Sequence, residues 1–102
     1  MDNDLQNLKK QIISLVNPIK IILFGSRAKG NFSEHSDYDI MIVMPKGTNK
    51  RATAQYLYKN IENIKNPYDF IVATQDTLDK YSNTKHLIYF HALKDGIELY
   101  AA

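Results

Sequence analysis

The chain has 102 residues, a formal net charge of +2 and a hydrophobic fraction of 44%, values that suit one globular domain over residues 1–102. It contains no cysteine, which excludes disulfides and thiolate metal sites and favours a cytoplasmic location. Its apolar runs are too short for a transmembrane helix, and the acidic, polar N-terminus does not resemble a signal peptide, so no membrane partner is expected.

The first predicted elements are a helix, a strand and a turn. Leucine and isoleucine recur at spacings of three and four residues from Leu5 to Leu15, which predicts an amphipathic helix capped by one of residues 2–4 and ended by Pro18. The nearly apolar run IKIILF (19–24) predicts a strand covered on both faces. The following GSRAKG (25–30) predicts a turn that contains one helical turn, and residues 31–36 are predicted as a loop.

The segment DYDIMIVM (37–44) predicts a second strand. Because side chains alternate along a strand, Asp37 and Asp39 share one face with Met41 and Val43, and Tyr38 points to the other face. Acidic residues are poor strand formers. Their presence at this strand start therefore suggests a function.

The rest of the chain predicts three helices and two strands. Thr48 is the expected cap of a helix to about residue 66, which Pro67 ends, and YDFIVA (68–73) predicts a third strand. Thr74 is the expected cap of a short helix to about residue 81, and a further helix over about 84–94 ends near Gly96. IELY (97–100) predicts a last strand. Helices alternating with apolar strands predict an α/β or α+β domain with helices packed on a sheet.

The paired acids carry an electrostatic cost. Carboxylates about 5 Å apart repel each other by roughly 3 kcal/mol at an effective dielectric near 20. A bound Mg²⁺ ion reverses the sign of this interaction, and such ions are commonly held by one or two carboxylates plus substrate phosphates. Asp69 starts the third strand in the same way, so it can join Asp37 and Asp39 if the strands are neighbours. Three carboxylates and a phosphate chain would suit two metal ions.

The turn after the first strand supplies groups that suit phosphate. Gly25 allows close approach of a ligand to the backbone, and Ser26 offers a hydroxyl and an N–H at the start of a helical turn. Arg27 and Lys29 add positive charge. Phosphate-binding groups beside metal-binding acids predict a phosphoryl- or nucleotidyl-transfer site.

The run GSRAKGNFSEHSDYD (25–39) has the form Gly-Ser, ten residues, Asp-x-Asp. This form resembles the signature of the DNA polymerase β-like nucleotidyltransferase superfamily. The segments FGSRAKG and SDYDIMIV are most similar to the minimal nucleotidyltransferase (MNT) family, whose members are often paired with HEPN-domain toxins in toxin–antitoxin systems. The resemblance covers nearly the whole chain and implies the nucleotidyltransferase fold, a small mixed sheet with helices packed on it.

The resemblance also implies roles for individual residues. Gly25 and Ser26 match the family's triphosphate-binding pair. Three acids match its metal-binding and catalytic set, and these are Asp37, Asp39 and Asp69. Asp69 matches the family's third acid, which in active members helps to activate the attacking hydroxyl. Lys29 stands where relatives often have arginine, a change that alters bidentate phosphate binding more than charge.

Simpler interpretations of the same residues stay open. Asp37 can cap a loop, Asp39 can pair with a lysine, and Asp69 can be a strand-entry residue after proline. Arg27 can be an exposed salt-bridge partner instead of a phosphate ligand. The histidines show no metal-ligand spacing and are expected at surface or half-buried positions; they are His35, His86 and His91.

Three functions are compatible with the sequence. The first is a Mg²⁺-dependent enzyme that, by resemblance, transfers AMP from ATP to a tyrosine of a cognate HEPN toxin and silences it. The second is an antitoxin that acts by binding alone, with a vestigial active site. The third, transfer to a small molecule, would need an acceptor pocket from another subunit, because only about thirty residues follow the third strand. Direct nucleic-acid binding is not expected.

Overall fold

The computed structural model describes residues 3–30, 36–81, 83–84 and 87–102. Helices and strands follow one another along these residues in the predicted order. They are α1 (Asn3–Val16), β1 (Lys20–Phe24), α2 (Ser26–Lys29), β2 (Tyr38–Met44), α3 (Lys50–Asn60), β3 (Tyr68–Thr74), α4 (Gln75–Tyr81), α5 (Ile88–Asp95) and β4 (Ile97–Ala101).

The strands of the described residues form one four-stranded mixed sheet in the order β3-β2-β1-β4. Strand β1 is antiparallel to β2 and to β4, whereas β2 and β3 are parallel. A parallel pair needs a crossover connection, and α3 supplies it. The end of β1 and the starts of β2 and β3 consequently meet at one edge of the sheet. The predicted mixed sheet with packed helices is confirmed.

Apolar side chains cover both faces of the sheet. Helices α1 and α3 pack on one face, where Leu8 and Leu57 contact the cluster that includes Ile40. Helices α4 and α5 pack on the other face, where Leu78 and Ala92 lie in a second cluster. Strand β2 contributes alternately to the two clusters, as its sequence predicts.

Helix α3 ends earlier than the sequence predicts. Its last residue is Asn60, and the chain from residue 61 leaves the helix, with Asn63 in a left-handed conformation (φ 62°). The backbone N–H of Glu62 donates to Gln11 Oε1 of α1 at 3.0 Å, and Gln11 Nε2 donates to the Glu62 carbonyl at 2.8 Å. These hydrogen bonds to α1 replace those that a longer helix would make, and the prediction to residue 66 is wrong for this reason.

Two predicted caps also differ from the structure. Asn49, not Thr48, caps α3, because its side chain accepts a hydrogen bond from the Ala52 N–H at 2.9 Å. Gly96 ends α5 as predicted but in an extended conformation (φ −77°), and its N–H donates to the Ala92 carbonyl at 2.9 Å. A Cβ at Gly96 would collide with Ile22 of β1, so close packing requires the glycine.

Some predictions fall on residues that the structure does not describe. These include the loop over 31–35, the cap at Asp2, and the positions of His35 and His86. Helix α5 begins at Ile88, four residues later than predicted, and the interval contains undescribed residues 85 and 86. None of the helices over the described ranges is both long and apolar enough to cross a membrane.

Asp4 lies in the first turn of α1 and bonds to the segment before β3. Its carboxylate accepts hydrogen bonds from the Lys65 N–H at 2.8 Å, the Asn66 N–H at 3.1 Å and Asn66 Nδ2 at 3.0 Å. Partial burial raises the pKa of Asp4, but these hydrogen bonds and one from Tyr38 outweigh it, so the pKa is lowered from its usual 3.8. Asp4 therefore connects α1 to this segment most strongly when it is ionised.

The lowered pKa of Asp4 predicts that the free energy of unfolding depends on pH. A carboxyl with a lowered folded-state pKa stabilises the protein above its unfolded pKa, and this contribution is lost as the pH falls through the folded value. We expect Asp4→Asn to lower the free energy of unfolding by about 1 kcal/mol at pH 7 and by less at pH 3. Urea unfolding of both proteins at the two pH values measures this, and an equal difference at both would contradict it.

Candidate active site

The sheet edge at which β1 ends brings the predicted acids together. Asp39 of β2 is in register with Asp69 of β3 on one side and with Phe24 of β1 on the other. Paired strands lie about 4.8 Å apart, and both aspartates alternate with residues of the cluster under α4 and α5, so their side chains share that face. Asp37 immediately precedes β2. Strands β2 and β3 are thus neighbours, which is the condition under which Asp69 can join Asp37 and Asp39.

The three carboxylates interact through their charges. Asp39 is half-buried, while Asp37 and Asp69 are exposed. Burial raises the pKa of Asp39, and the negative charges of Asp69 and Asp37 raise it further. Ionisation of Asp39 in the folded protein therefore costs free energy, and a cation bound at this edge would reduce that cost.

The glycine of the GS turn (Gly25-Ser26) lies directly against Asp39. Gly25 has φ 74° and ψ −156°, a conformation that residues with a side chain rarely adopt. A Cβ at this position would lie 3.1 Å from Asp39 Cγ and closer still to Oδ2. The turn and the acidic strand thus touch because residue 25 has no side chain.

Ser26 and Arg27 begin the short helix α2, as the sequence predicts. Arg27 Nε donates a hydrogen bond to the Ser36 carbonyl at 2.8 Å, and the guanidinium carbon lies 4.3 Å from the centroid of the Tyr38 ring. Arg27 is thus half-buried against the segment that leads into β2. Its predicted contact with phosphate stays a prediction.

Comparison with known proteins decides the family. The family model of the nucleotidyltransferase domain matches residues 5–97. The chain belongs to the nucleotidyltransferase domain family. A search of curated proteins found no match. The membership inferred from the GS turn and the Asp-x-Asp strand is thereby confirmed.

Two solved structures share the fold of this nucleotidyltransferase domain. A candidate nucleotidyltransferase from Sulfolobus solfataricus is 21% identical over 96% of this chain and 78% of that chain, with a TM-score of 0.65. A toxin–antitoxin structure with AMP-PNP is 19% identical over 99% of this chain and 75% of that chain, with a TM-score of 0.63.

The acidic edge of the nucleotidyltransferase domain offers hard oxygen ligands but no complete protein cage. Over the described residues, no group of three histidine, cysteine or acidic side chains is arranged to hold a metal ion. Mg²⁺ at phosphate-transfer sites usually takes only one or two carboxylates and completes its shell with phosphates and waters. The coupled carboxylates of Asp37 and Asp39 fit that pattern. Ligation by Asp69 and the presence of two ions stay predictions.

The sequence patterns did not identify Tyr38 as part of the surroundings of the site. Tyr38 was assigned only to the face opposite the acids, yet its hydroxyl has hydrogen-bond partners in Asn66 and Asp4. The sequence contains one signal of this role. Tyr38 lies on the same face of the strand as Ile40 and Ile42, and this apolar face predicts that the tyrosine is buried. A buried tyrosine usually needs a partner for its hydroxyl.

Proposed function

We propose that this nucleotidyltransferase domain transfers AMP from ATP to a tyrosine hydroxyl of a cognate HEPN toxin and thereby neutralises the toxin. The observation that carries the proposal is the contact between Gly25 and Asp39. It places the GS turn, whose groups suit phosphate, against a group of interacting acids. Family membership supports nucleotide transfer. A toxin–antitoxin structure with AMP-PNP among the proteins of this fold supports ATP and a toxin partner.

In this proposal each site residue has a defined role. Gly25 and Ser26 present backbone and hydroxyl groups to the triphosphate, and Asp37 and Asp39 hold Mg²⁺. Bound Mg²⁺ would neutralise the phosphate oxygens and the departing pyrophosphate. Asp69, which is exposed and in register with Asp39, completes the metal site and orients the acceptor hydroxyl.

At the α-phosphorus the reaction forms one bond and breaks one, and it also transfers one proton. The acceptor hydroxyl oxygen attacks the α-phosphorus of ATP, the bond from that phosphorus to the bridging oxygen breaks, and pyrophosphate leaves with the bonding electron pair. The hydroxyl proton passes to the Asp69 carboxylate or to water. Arg27 supplies positive charge near the phosphates in this scheme, although its Nε is already bonded to Ser36.

The partner surface is proposed to lie on the last elements of the chain. The protein is proposed to act in the cytoplasm and to bind its partner without nucleic acid. Ile88 of α5 is 44% exposed, and Leu93 of the same helix and Ile97 of β4 are exposed as well. Tyr89 of the same helix packs on the core. A protein acceptor would cover this apolar surface.

Intact-protein mass spectrometry tests the activity. The partner encoded beside this protein should gain the mass of one adenylyl group when incubated with the domain, ATP and Mg²⁺. The same mixture with EDTA, or with Asp39→Asn, should leave the partner mass unchanged. Absence of the increase in the complete mixture would contradict the proposal, and parallel reactions with GTP, CTP and UTP define the base preference.

An antitoxin that acts by binding alone is the second candidate. The exposed apolar side chains of Ile88, Leu93 and Ile97 suit a bound protein partner whether or not transfer takes place. Replacement of Asp37 and Asp39 by alanine separates the two candidates. The enzyme hypothesis predicts loss of neutralisation with binding of the partner retained, whereas the binding hypothesis predicts unchanged neutralisation.

A further inference from the structure

We propose that Tyr38 is a positioning residue for nucleotide transfer, whose side chain fixes the GS turn and the segment before β3 relative to the acids on either side of it. The inference rests on the proposed function. Tyr38 separates Asp37 from Asp39, and its side chain is fully buried on the opposite face of the sheet. It contacts Arg27, which follows the GS turn, and residues 66 and 67, which precede Asp69.

The ring of Tyr38 connects β2 to the GS turn. The guanidinium carbon of Arg27 lies 4.3 Å from the ring centroid, and Arg27 directly follows Ser26. Arg27 Nε also donates to the Ser36 carbonyl, two residues before Tyr38. This pair of contacts holds α2 against the start of β2, and so sets where the GS turn lies relative to Asp39.

The hydroxyl of Tyr38 connects β2 to the segment before Asp69. It accepts a hydrogen bond from Asn66 Nδ2 at 3.3 Å and donates one to the Asp4 carboxylate. Asp4 in turn accepts hydrogen bonds from the side chain and the backbone N–H of Asn66. The three side chains form a closed network three residues before Asp69, and the Tyr38 N–H donates to the Pro67 carbonyl at 2.9 Å in addition.

This geometry allows Tyr38 to act on the carboxylates without touching substrate. Peptide bonds join Tyr38 to both Asp37 and Asp39, so a shift of the Tyr38 backbone moves both carboxylates, and the side-chain contacts of Tyr38 hold that backbone in place. Residues that orient metal-binding side chains change metal affinity or activity by about 10- to 100-fold when they are replaced. A phenylalanine would fill the same apolar space, so the contribution of the hydroxyl lies in the hydrogen bonds.

Tyr38→Phe tests the inference, with Thr53→Val as the control. Thr53→Val also loses one hydroxyl hydrogen bond, which Thr53 Oγ1 donates to the Asn49 carbonyl at 2.8 Å, but Thr53 lies near the start of α3, which follows the opposite end of β2 from the acids. Calorimetric titration with ATP at several Mg²⁺ concentrations should show about 10-fold weaker Mg²⁺-dependent ATP binding for Tyr38→Phe. Thr53→Val should bind as the unsubstituted protein does.

Two further measurements separate positioning from folding. Circular dichroism should show both variants folded at the temperature of titration, and Asp4→Asn should reproduce the weakening without adding to it in a double variant, because both groups act through one network. Unchanged Mg²⁺-dependent binding in Tyr38→Phe, with clear binding by the unsubstituted protein, overturns this inference alone. Absence of Mg²⁺-dependent ATP binding in the unsubstituted protein overturns the proposed function and this inference with it.

Discussion

Replacing Asp39 with asparagine is expected to raise the stability of the protein and to lower the rate of nucleotide transfer sharply. The raised pKa of Asp39 means that the folded state holds its charge less favourably than the unfolded state does, so removing the charge stabilises the fold. Because two of the three acids are exposed and water screens their repulsion, the gain is about 1 kcal/mol. For a domain of this size that is a rise in Tm of about 4–8 °C.

The loss of activity should be much larger than the gain in stability. Asparagine keeps the shape of Asp39 but removes the negative charge that holds a metal ion, so we expect transfer to fall by about 100-fold or more. Thermal unfolding and adenylyl transfer measured on the same preparations give both quantities. Glu62→Gln is a suitable control, since Glu62 is exposed and its backbone bonds to α1 on the other face of the sheet.

Added Mg²⁺ should reverse the ranking of the two proteins. The ion stabilises the form that binds it, so Mg²⁺ should raise the Tm of the unsubstituted protein and leave that of Asp39→Asn almost unchanged. A variant that is less stable than the unsubstituted protein without metal would contradict the electrostatic account of this edge.

Gly25→Ala is expected to damage both folding and activity, and Gly30→Ala provides the comparison. Both glycines have positive φ, 74° and 81°. A Cβ at Gly30 would meet no atom within 4 Å, whereas one at Gly25 would collide with the Asp39 carboxylate. The backbone strain of alanine in Gly30→Ala costs about 1 kcal/mol. Gly25→Ala places alanine in a conformation that is essentially restricted to glycine and also displaces Asp39. We expect it to lower the free energy of unfolding by about 2–4 kcal/mol.

Urea unfolding and ATP titration distinguish the two glycine variants. Gly25→Ala should unfold at lower urea and lose Mg²⁺-dependent ATP binding, because the carboxylate must move away from the turn. Gly30→Ala should keep that binding. Equal destabilisation of the two variants, with ATP binding retained by both, would contradict the role of the close contact between Gly25 and Asp39.

Features governed by neighbouring residues were predictable from the sequence. Alternation along β2 correctly separated Tyr38 from the acids, and the buried run 19–24 became the central strand β1. The positions of the GS turn and Asp-x-Asp pair followed from their spacing. Local signals sufficed for these features because periodicity and turn residues act over a few positions.

Features governed by distant residues were not predictable. Helix α3 stops at Asn60 because the following segment bonds to α1, across more than 50 positions of sequence. The partners of the Tyr38 hydroxyl, Asp4 and Asn66, are likewise far from it along the chain. Tertiary contacts of this kind override helix patterns, and no local pattern identifies which polar groups will meet.

In the proposed function, the acids at the sheet edge bind a nucleoside triphosphate through Mg²⁺. Isothermal titration of the protein with ATP, in Mg²⁺ and in EDTA, tests this binding when it is repeated with the double variant Asp37→Asn, Asp39→Asn. We predict binding by the unsubstituted protein in Mg²⁺ only, and none by the double variant. Equal ATP binding in EDTA, or undiminished binding by the double variant, would contradict the claim.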